Sequence, residues 1–167
     1  SEVIARLLSL QETQSKKLAE LGFDFVDFAP DLSEAELSGV NFTGANLHKT
    51  SIRKAQLNNA NMNGSDLSES DLTAASMENV DLRGANLDKA NLSNATLSGA
   101  SLREAKLTDA NLSGTVLANA DMKKADLTAA NLYQANLQDA NLEYVQLNYA
   151  DLREAKLSFA FLRYANL

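Results

Sequence analysis

The chain lacks cysteine and tryptophan, and its 167 residues include one proline and one histidine. Without cysteine there are no disulfides, zinc–thiolate sites or thiol catalysis. Aromatic residues make up only 6% of the chain. So few large side chains would not fill a thick globular core, but they suit a narrow core of regular cross-section. No apolar stretch reaches the ~20 residues of a transmembrane helix, so we expect no membrane insertion.

The net charge of −7 shows an excess of acidic residues. Direct binding to nucleic acid or to an anionic membrane surface draws on basic surface, so neither is expected. The sequence contains nothing that resembles a signal peptide, and the absence of cysteine fits a reducing compartment. A cytoplasmic location is therefore expected, with the thylakoid lumen or periplasm as the alternative if a signal peptide has been removed.

A five-residue repeat dominates the chain from residue 32 to residue 167. Each of the 28 positions whose number ends in 2 or 7 carries a large apolar residue, which we call the centre of its repeat. Two residues before the centre stands alanine in 20 of 28 repeats, and one residue before it stands Asp or Asn in 17 of 28. Self-similarity at a fixed period indicates a repeat architecture.

The period of five predicts how each repeat folds. It matches neither the helical period of 3.6 nor a plain strand alternation. Alanine and the centre are two residues apart, so in extended backbone they point to one side and Asp or Asn points to the other. The next two residues are polar or small and suit a corner. Each pentapeptide is thus one short side plus one turn, and the chain winds into a β-solenoid with about 4.8 Å between coils.

The residues alone give two conflicting indications of the length of a coil. Gly44, Gly64 and Gly84 recur at intervals of twenty, as do Tyr144 and Tyr164, which favours a four-sided coil of twenty residues. Against this, the string LREAKL occurs at 102–107 and again at 152–157, fifty residues later, and fifty is not a multiple of twenty.

The tandem pattern A-(D/N)-L-x-x, as in ANLHK at 45–49, ANLDK at 85–89 and ADLTA at 125–129, resembles the pentapeptide-repeat family over about residues 30–167. The resemblance implies an all-β fold, a right-handed quadrilateral β-helix with four pentapeptides per coil and about seven coils. Its stacked leucine centres would form the core, and the alanines would fill the spaces between them.

Residues 1–29 do not follow the period. The apolar residues Ile4, Leu7, Leu8, Leu18 and Leu21 fall at roughly helical spacing, and Gly22 is the predicted C-terminal stop of the helix. We predict that 1–29 form an N-terminal α-helical cap on a β-helix domain of 30–167, because a solenoid must cover its first open coil. The alternative is a helix that binds a partner.

No arrangement of residues indicates catalysis, a cofactor or a metal. His48 is the single histidine and is predicted to lie on the surface without a nucleophile nearby. With twenty residues per coil, Asp71 would stack between Ser51 and Asn91, so hydrogen bonding to turns is favoured over calcium binding. The chain is therefore predicted not to be an enzyme.

A basic strip follows one face of the predicted solenoid. It is formed by Arg83, Arg103 and Lys123, with acidic residues on both sides. We interpret it as a solvated face of mixed charge, and the alternative is a site for an anionic partner.

The aromatic residues are concentrated near the C-terminus, where six of the ten lie between residues 133 and 164. By the five-residue register none of the six points inward, and exposed aromatics in one region indicate a contact surface. Local packing or end-capping is the alternative. The predicted contact residues are Tyr144, Tyr149, Phe159, Phe161, Tyr164 and Leu167.

The predicted function is a non-catalytic protein–protein interaction or scaffolding module with an unknown protein partner. A homodimer through the C-terminal coil is the favoured arrangement; its rivals are a longer native protein and a different protein docking on the same residues. The C-terminal pair Tyr144 and Tyr164 is expected to stack directly.

The family resemblance adds an alternative, a DNA-mimic inhibitor of DNA gyrase that confers quinolone resistance. Such members often have phenylalanine centres and loops that interrupt the coil, whereas here only Phe42 is a phenylalanine centre and no loop breaks 32–167. The charge also differs: residues 1–36 carry a net −5 and residues 37–167 only −2. A mimic of DNA needs its negative charge along the rod.

Overall fold

The computed structural model describes residues 31–167. This part of the chain contains no helix, and its β-structure consists of single-residue bridges rather than longer strands. The bridges are parallel and recur every five residues, from Asp31↔Ser51 to Gln146↔Asn166. Each bridge joins residues twenty apart, so four pentapeptides make one coil, as the glycine spacing favoured. The described chain is a β-solenoid.

An interior pentapeptide with Asp or Asn before its centre can satisfy all five of its backbone N–H groups, as residues 86–90 illustrate. Asn86 donates to the previous coil at 2.9 Å, and Leu87 and Lys89 donate to the next coil at 2.7 and 2.8 Å. Ala90 donates to the carbonyl of Leu87 at 3.0 Å and closes the turn. The remaining N–H, that of Asp88, donates to the side-chain Oδ1 of Asn86 at 3.2 Å. The frequent Asp or Asn before the centre therefore supplies an acceptor that the backbone lacks.

The corners adopt an unusual backbone conformation. Every described position whose number ends in 4 or 9 has a positive φ, between 54° and 68°. A positive φ at the third residue is the mark of a type II turn. Gly84 adopts it freely, but 21 of these positions are not glycine. A left-handed conformation costs a non-glycine residue about 1–2 kcal/mol, which the hydrogen bonds between coils must offset.

The core is a column of centres with small residues between them. Every centre from Leu37 to Leu147 is buried. Four buried polar residues stand where alanine is usual, and three of them donate to backbone carbonyls: Ser65 at 2.8 Å, Ser70 at 2.6 Å and Thr115 at 3.0 Å. Thr50 Oγ1 is the single buried side-chain polar atom without a partner among the described residues. A narrow core of this kind needs few aromatic residues.

The predicted α-helical cap of residues 1–29 lies outside the described residues and stays a prediction. The same holds for the domain boundary at residue 30 and for the total of about seven coils. Within 31–167 no helix is long and apolar enough to cross a membrane.

Candidate functional site: the C-terminal coil

The last coil, residues 148–167, exposes side chains that interior coils bury. Leu102 and Leu107 are inaccessible to solvent because a coil stacks on each side of theirs. In the last coil Leu152 and Leu157 are only half-buried, and Leu167 is 74% exposed. The apolar interior of the solenoid is therefore open at this end of the described chain.

The exposed large apolar residues of the described chain all lie between residues 144 and 167. Besides Leu162, they are the six predicted contact residues, which we call the end surface: Tyr144, Tyr149, Phe159, Phe161, Tyr164 and Leu167. Tyr149 is 92% exposed and Phe159 78% exposed. None of the five aromatic side chains of the end surface points into the core, as the register predicted. Their role in binding stays a prediction.

The end surface follows the rim of the last coil rather than forming one compact cluster. Tyr144 and Tyr164 share a corner and stack with ring centroids 4.8 Å apart, which confirms the predicted stacking. Tyr149 and Phe159 occupy the two neighbouring corners, both with positive φ. Phe161 takes the outward bridge position on the side between Phe159 and Tyr164. Three of the four corners thus carry an exposed aromatic residue.

Cations accompany the stacked tyrosines. Lys123 Nζ lies 5.6 Å from the Tyr144 ring centroid, and the Arg163 guanidinium lies 4.9 Å from that of Tyr164. Lys123 also forms a 2.7 Å ion pair with Glu143, and its hydrogen bond lowers the pKa of that carboxyl. These contacts restrict the rings to defined positions.

The predicted basic strip is a face of mixed charge. Arg83 pairs with Asp81 at 2.6 Å, and Arg103 pairs with Asp121 at 3.3 Å. With Lys123 also paired, each basic residue of the strip has an acidic neighbour, as expected for a face of mixed charge.

A polar network occupies the fourth corner of the last coil and was not anticipated from the sequence. Arg153 donates to both carboxylate oxygens of Asp151, at 2.9 and 2.7 Å, and these hydrogen bonds lower the pKa of Asp151 to about 2. Glu154 accepts from Gln134 at 2.7 Å and from the Tyr133 hydroxyl at 3.1 Å. Both hydrogen bonds lower the pKa of Glu154. The bond between Tyr133 and Glu154 also raises the pKa of the Tyr133 hydroxyl. A charged, ordered corner therefore adjoins the aromatic rim.

The backbone of the last coil also has free hydrogen-bonding groups. In interior coils the N–H of each centre donates to the next coil, and the carbonyl of each alanine position accepts from it. In the last coil the corresponding side groups have no partner within the described chain. The free carbonyls are those of Ala150, Ala155, Ala160 and Ala165, and the free N–H groups on the sides are those of Leu152, Leu157, Leu162 and Leu167. The corner N–H groups of Tyr149, Glu154, Phe159 and Tyr164 are free as well. Such an edge is a template for pairing with another chain.

Residues 31–167 contain no group of three or more His, Cys, Asp or Glu side chains that could hold a metal ion. His48 lies on the surface, where its Nδ1 is 2.8 Å from the Ser68 hydroxyl. Asp71 bridges to Ser51 and Asn91, and its Oδ1 accepts the N–H of Thr73 at 3.0 Å. The Asp and Asn columns thus bond to turns, as expected.

These features define a class of protein, the β-solenoid whose twenty-residue coils are built from five-residue units. The family model described as pentapeptide repeats matches eight copies in overlapping segments that extend from residue 31 to residue 167. The chain belongs to the pentapeptide-repeat family.

Solved structures show the same fold. A trypsin-treated variant of QnrB1, a plasmid-mediated fluoroquinolone resistance protein, aligns with TM-score 0.77 and 15% identity, over 82% of this chain and 69% of that one. A second trypsin-treated QnrB1 variant gives TM-score 0.62 and 18% identity, over 83% and 87%. Rfr23, a pentapeptide repeat protein from the cyanobacterium Cyanothece 51142, gives 0.46 and 22%, over 92% and 98%. No curated protein sequence matches significantly. At these identities the likeness to the two QnrB1 variants is one of fold alone.

Proposed function

We propose that this chain is a non-catalytic protein–protein interaction or scaffolding module and that the end surface is its contact. The observation that carries the proposal is the coincidence of exposed apolar side chains with unpaired backbone groups on one coil. Interior coils bury the same side chains and pair the same backbone groups by stacking. A partner that covered the last coil would bury the exposed side chains and also pair the free backbone groups.

The rigidity of the rim supports this role. Tyr164 is fixed by its stack on Tyr144 and by Arg163, so ordering it on binding loses little conformational freedom. Burying an exposed Phe or Tyr side chain contributes about 1.5–3 kcal/mol, so a few such residues can supply a useful affinity. Aromatic residues and arginine are also the residue types enriched at interface centres.

A second copy of the chain is the partner we propose. Along its four sides the last coil offers both free N–H donors and free carbonyl acceptors, so it has groups that can pair with an identical coil. A different protein docking on the end surface is the competing outcome.

Light scattering during size-exclusion chromatography tests the homodimer. We expect twice the chain mass of 18.0 kDa. A mass that stays at 18.0 kDa up to ~100 μM, a limit of roughly −5 kcal/mol, would exclude it. Phe161→Asp should dissociate the dimer by placing a charge in the contact. The matched control is Val116→Asp, which changes the same outward bridge position in an interior coil and should leave the dimer intact.

The competing function, a DNA-mimic inhibitor of DNA gyrase, has one observation in its favour, the fold shared with QnrB1. The charge of the rod argues against it. Residues 37–167 carry 14 acidic and 12 basic side chains, and cross-coil pairs such as Lys123–Glu143 and Arg103–Asp121 neutralise charge locally. We expect no inhibition in a gyrase supercoiling assay; inhibition at low micromolar protein would favour the mimic instead.

A further inference from the structure

We propose that two adjacent sides of the solenoid bind an extended, uncharged β-1,4-linked glycan. These sides are formed by residues 90–99, 110–119 and 130–139, and we call them the neutral face. The proposal is independent of the end surface and of the proposed homodimer. It follows from the distribution of charge, from hydrogen-bonding groups that the fold leaves free, and from the spacing between coils.

The charged side chains of the central coils lie on one half of the rod. Of every twenty residues from 80 to 139, the first ten form two sides of a coil and the last ten form the neutral face. Each first ten carries four charged side chains, whereas the neutral face carries one in total, Asp139. Without cations it has no group that attracts a phosphate or another anion. Contacts between proteins favour aromatic residues and arginine, and Tyr133 is the only such residue on this face, which therefore suits a neutral, polar ligand.

A chain of side-chain hydrogen bonds orders the polar groups of one side of the neutral face. Asn131 Nδ2 donates to Asn111 Oδ1 at 3.2 Å, and Asn111 Nδ2 donates to Asn91 Oδ1 at 3.1 Å. Asn91 Nδ2 donates to Thr73 Oγ1 at 2.9 Å, and that hydroxyl donates to Asp71. The bonds run in one direction and end on a carboxylate, so they polarise one another. Three amides, one in each coil, are thereby held in defined positions.

This amide ladder leaves hydrogen-bonding groups free. Each amide nitrogen uses one of its two N–H groups in the ladder, and the second has no partner within residues 31–167. Asn91 Oδ1 also accepts the N–H of Ser93 at 3.2 Å, and Asn111 Oδ1 accepts that of Ser113 at 3.1 Å. Because both lone pairs of each amide oxygen are engaged, the two serine hydroxyls find no acceptor there. Where Asp stands before the centre, as it does near Ser68, the hydroxyl instead donates to that carboxylate, at 2.6 Å.

The spacing and chemistry of these free groups match a linear glycan. They recur from coil to coil at about 4.8 Å. An extended β-1,4-linked chain of hexoses advances by nearly that distance with each ring, and its hydroxyls both donate and accept hydrogen bonds. Tyr133 continues the column of Ser93 and Ser113, and it borders an open cleft of about 440 Å³. The C–H face of a sugar ring packs on an aromatic ring, so a hexose can stack on Tyr133 while its neighbours bond to the amides.

Binding of cellotetraose, an uncharged β-1,4-linked tetramer of glucose, tests the proposal. In an NMR titration it should shift the side-chain amide signals of Asn91, Asn111 and Asn131. A few uncharged hydrogen bonds should give a Kd on the order of 1 mM. Maltotetraose contains the same sugar in α-1,4 linkage and follows a curved path, so it should not shift these signals at the same concentration.

Asn111→Asp removes the amide donors from the middle of the ladder and should weaken cellotetraose binding at least tenfold. The fold should be retained, because Asp keeps an oxygen for the Ser113 N–H, as Asp71 does in the same column. Ser113→Ala removes a hydroxyl without a partner in the described chain and should weaken binding several-fold with no change in thermal unfolding. The matched control is Asn41→Asp, which adds the same charge at the same repeat position in the column of Asp81 and should leave the Kd unchanged.

Selective binding of cellotetraose that Asn111→Asp loses and Asn41→Asp keeps supports the proposal. It is overturned if no signal shifts at a sugar concentration tenfold above the expected Kd, if both sugars bind equally, or if Asn111→Asp binds as the wild type does. Light scattering separates the neutral face from a protein contact, because Asn111→Asp should keep the mass of the wild type. A change of mass in Asn111→Asp would make the neutral face a protein contact and overturn the glycan site.

Discussion

The hexapeptide LREAKL occurs twice, at 102–107 in an interior coil and at 152–157 in the last coil. Its backbone is the same in both places. The third residue of the turn has φ 58° at Glu104 and 59° at Glu154, and both lysines are bridge residues. Identical residues thus form an identical turn, whichever coil they occupy.

The surroundings of the two copies differ. Arg103 and Glu104 pair with residues of the next coil, at 3.3 and 3.4 Å. In the last coil Arg153 turns to Asp151 of its own coil, and Glu154 bonds to Gln134 of the coil before. The five-residue unit therefore determines its own backbone, whereas its surroundings determine which partners its side chains find. These surroundings are the adjacent coils and the residue just before the hexapeptide, which is Ser101 in one copy and Asp151 in the other. Properties that arise within the unit should match between the two copies, and properties that arise from stacking should not.

The rate of amide hydrogen exchange should show the largest difference between the two LREAKL hexapeptides. The N–H of Leu107 donates to Asp126 at 2.7 Å, whereas that of Leu157 has no partner within the described chain. In the monomeric background Phe161→Asp, we expect Leu107 to exchange slower by a factor on the order of 10³ or more, since protection reflects the free energy of opening. NMR-detected exchange measures both amides.

The turn amides of Ala110 and Ala160 are the control, because both donate within their own turn, at 3.1 and 3.0 Å. Their difference should be smaller than that between Leu107 and Leu157. Equal protection of the two leucine amides in the monomeric variant would contradict the open edge. Protection of Leu157 that appears only in the wild-type dimer would support edge pairing.

Truncation of the last leucine of each LREAKL hexapeptide should give the next largest difference, in the free energy of unfolding. Leu107→Ala opens a cavity in a closed core and is expected to destabilise by about 2–5 kcal/mol. Leu157→Ala removes a half-buried side chain and should cost less than half of that. Urea denaturation midpoints followed by circular dichroism make the comparison. Equal midpoints would mean that the last coil is as closed as the interior.

The corner glutamates should respond equally to substitution by glycine. Glu104→Gly and Glu154→Gly each relieve a left-handed conformation that costs about 1–2 kcal/mol, and each loses about 0.5–1 kcal/mol through the flexibility of glycine in the unfolded chain. We expect both variants to be stabilised slightly and by similar amounts, measured by thermal unfolding. A clear gain at one site and a clear loss at the other would show that the corner is not a local property.

The smallest expected effect concerns Asp151, whose pKa lies near 2 because Arg153 bonds to both carboxylate oxygens. Arg153→Ala should raise that pKa toward its ordinary value of 3.8, as followed by NMR titration. Because the folded-state pKa is depressed, the pair stabilises the fold above pH 3.8, and this contribution is lost as the pH falls toward 2. The site is exposed, so the change in stability should be small. Arg103→Ala, the matched control, should leave the Asp151 titration unchanged.

The sequence predicted those parts of the fold that repeat. The centres from Leu37 to Leu147 are buried because the period of five requires an inward residue at each, and Gly44, Gly64 and Gly84 indicated the twenty-residue coil. The left-handed corners were less visible, because most of them hold residues other than glycine. A stack of many hydrogen bonds imposes that conformation on residues such as Tyr144.

The site was predicted in part. The exposed rim followed from the register, since Phe161 and Tyr164 fall at outward positions. The network around Glu154 did not, because the same letters LREAKL occur in an interior coil with different partners. A side chain whose contacts depend on the presence or absence of a next coil cannot be placed from its own repeat alone.

One further consequence concerns how such a chain can change over evolutionary time. Because each pentapeptide closes its own turn, duplicating or deleting one pentapeptide leaves every downstream leucine inside but rotates the rest of the rod by a quarter turn. The two LREAKL copies illustrate this: they lie fifty residues apart, which is two and a half coils, and so occupy opposite sides of the square. A change of fifteen nucleotides would leave the interior unaltered and yet regroup the outward columns that cross it. If the change fell between residues 144 and 164, Tyr164 would stack on a different residue, and the rod would present a new surface with the same fold.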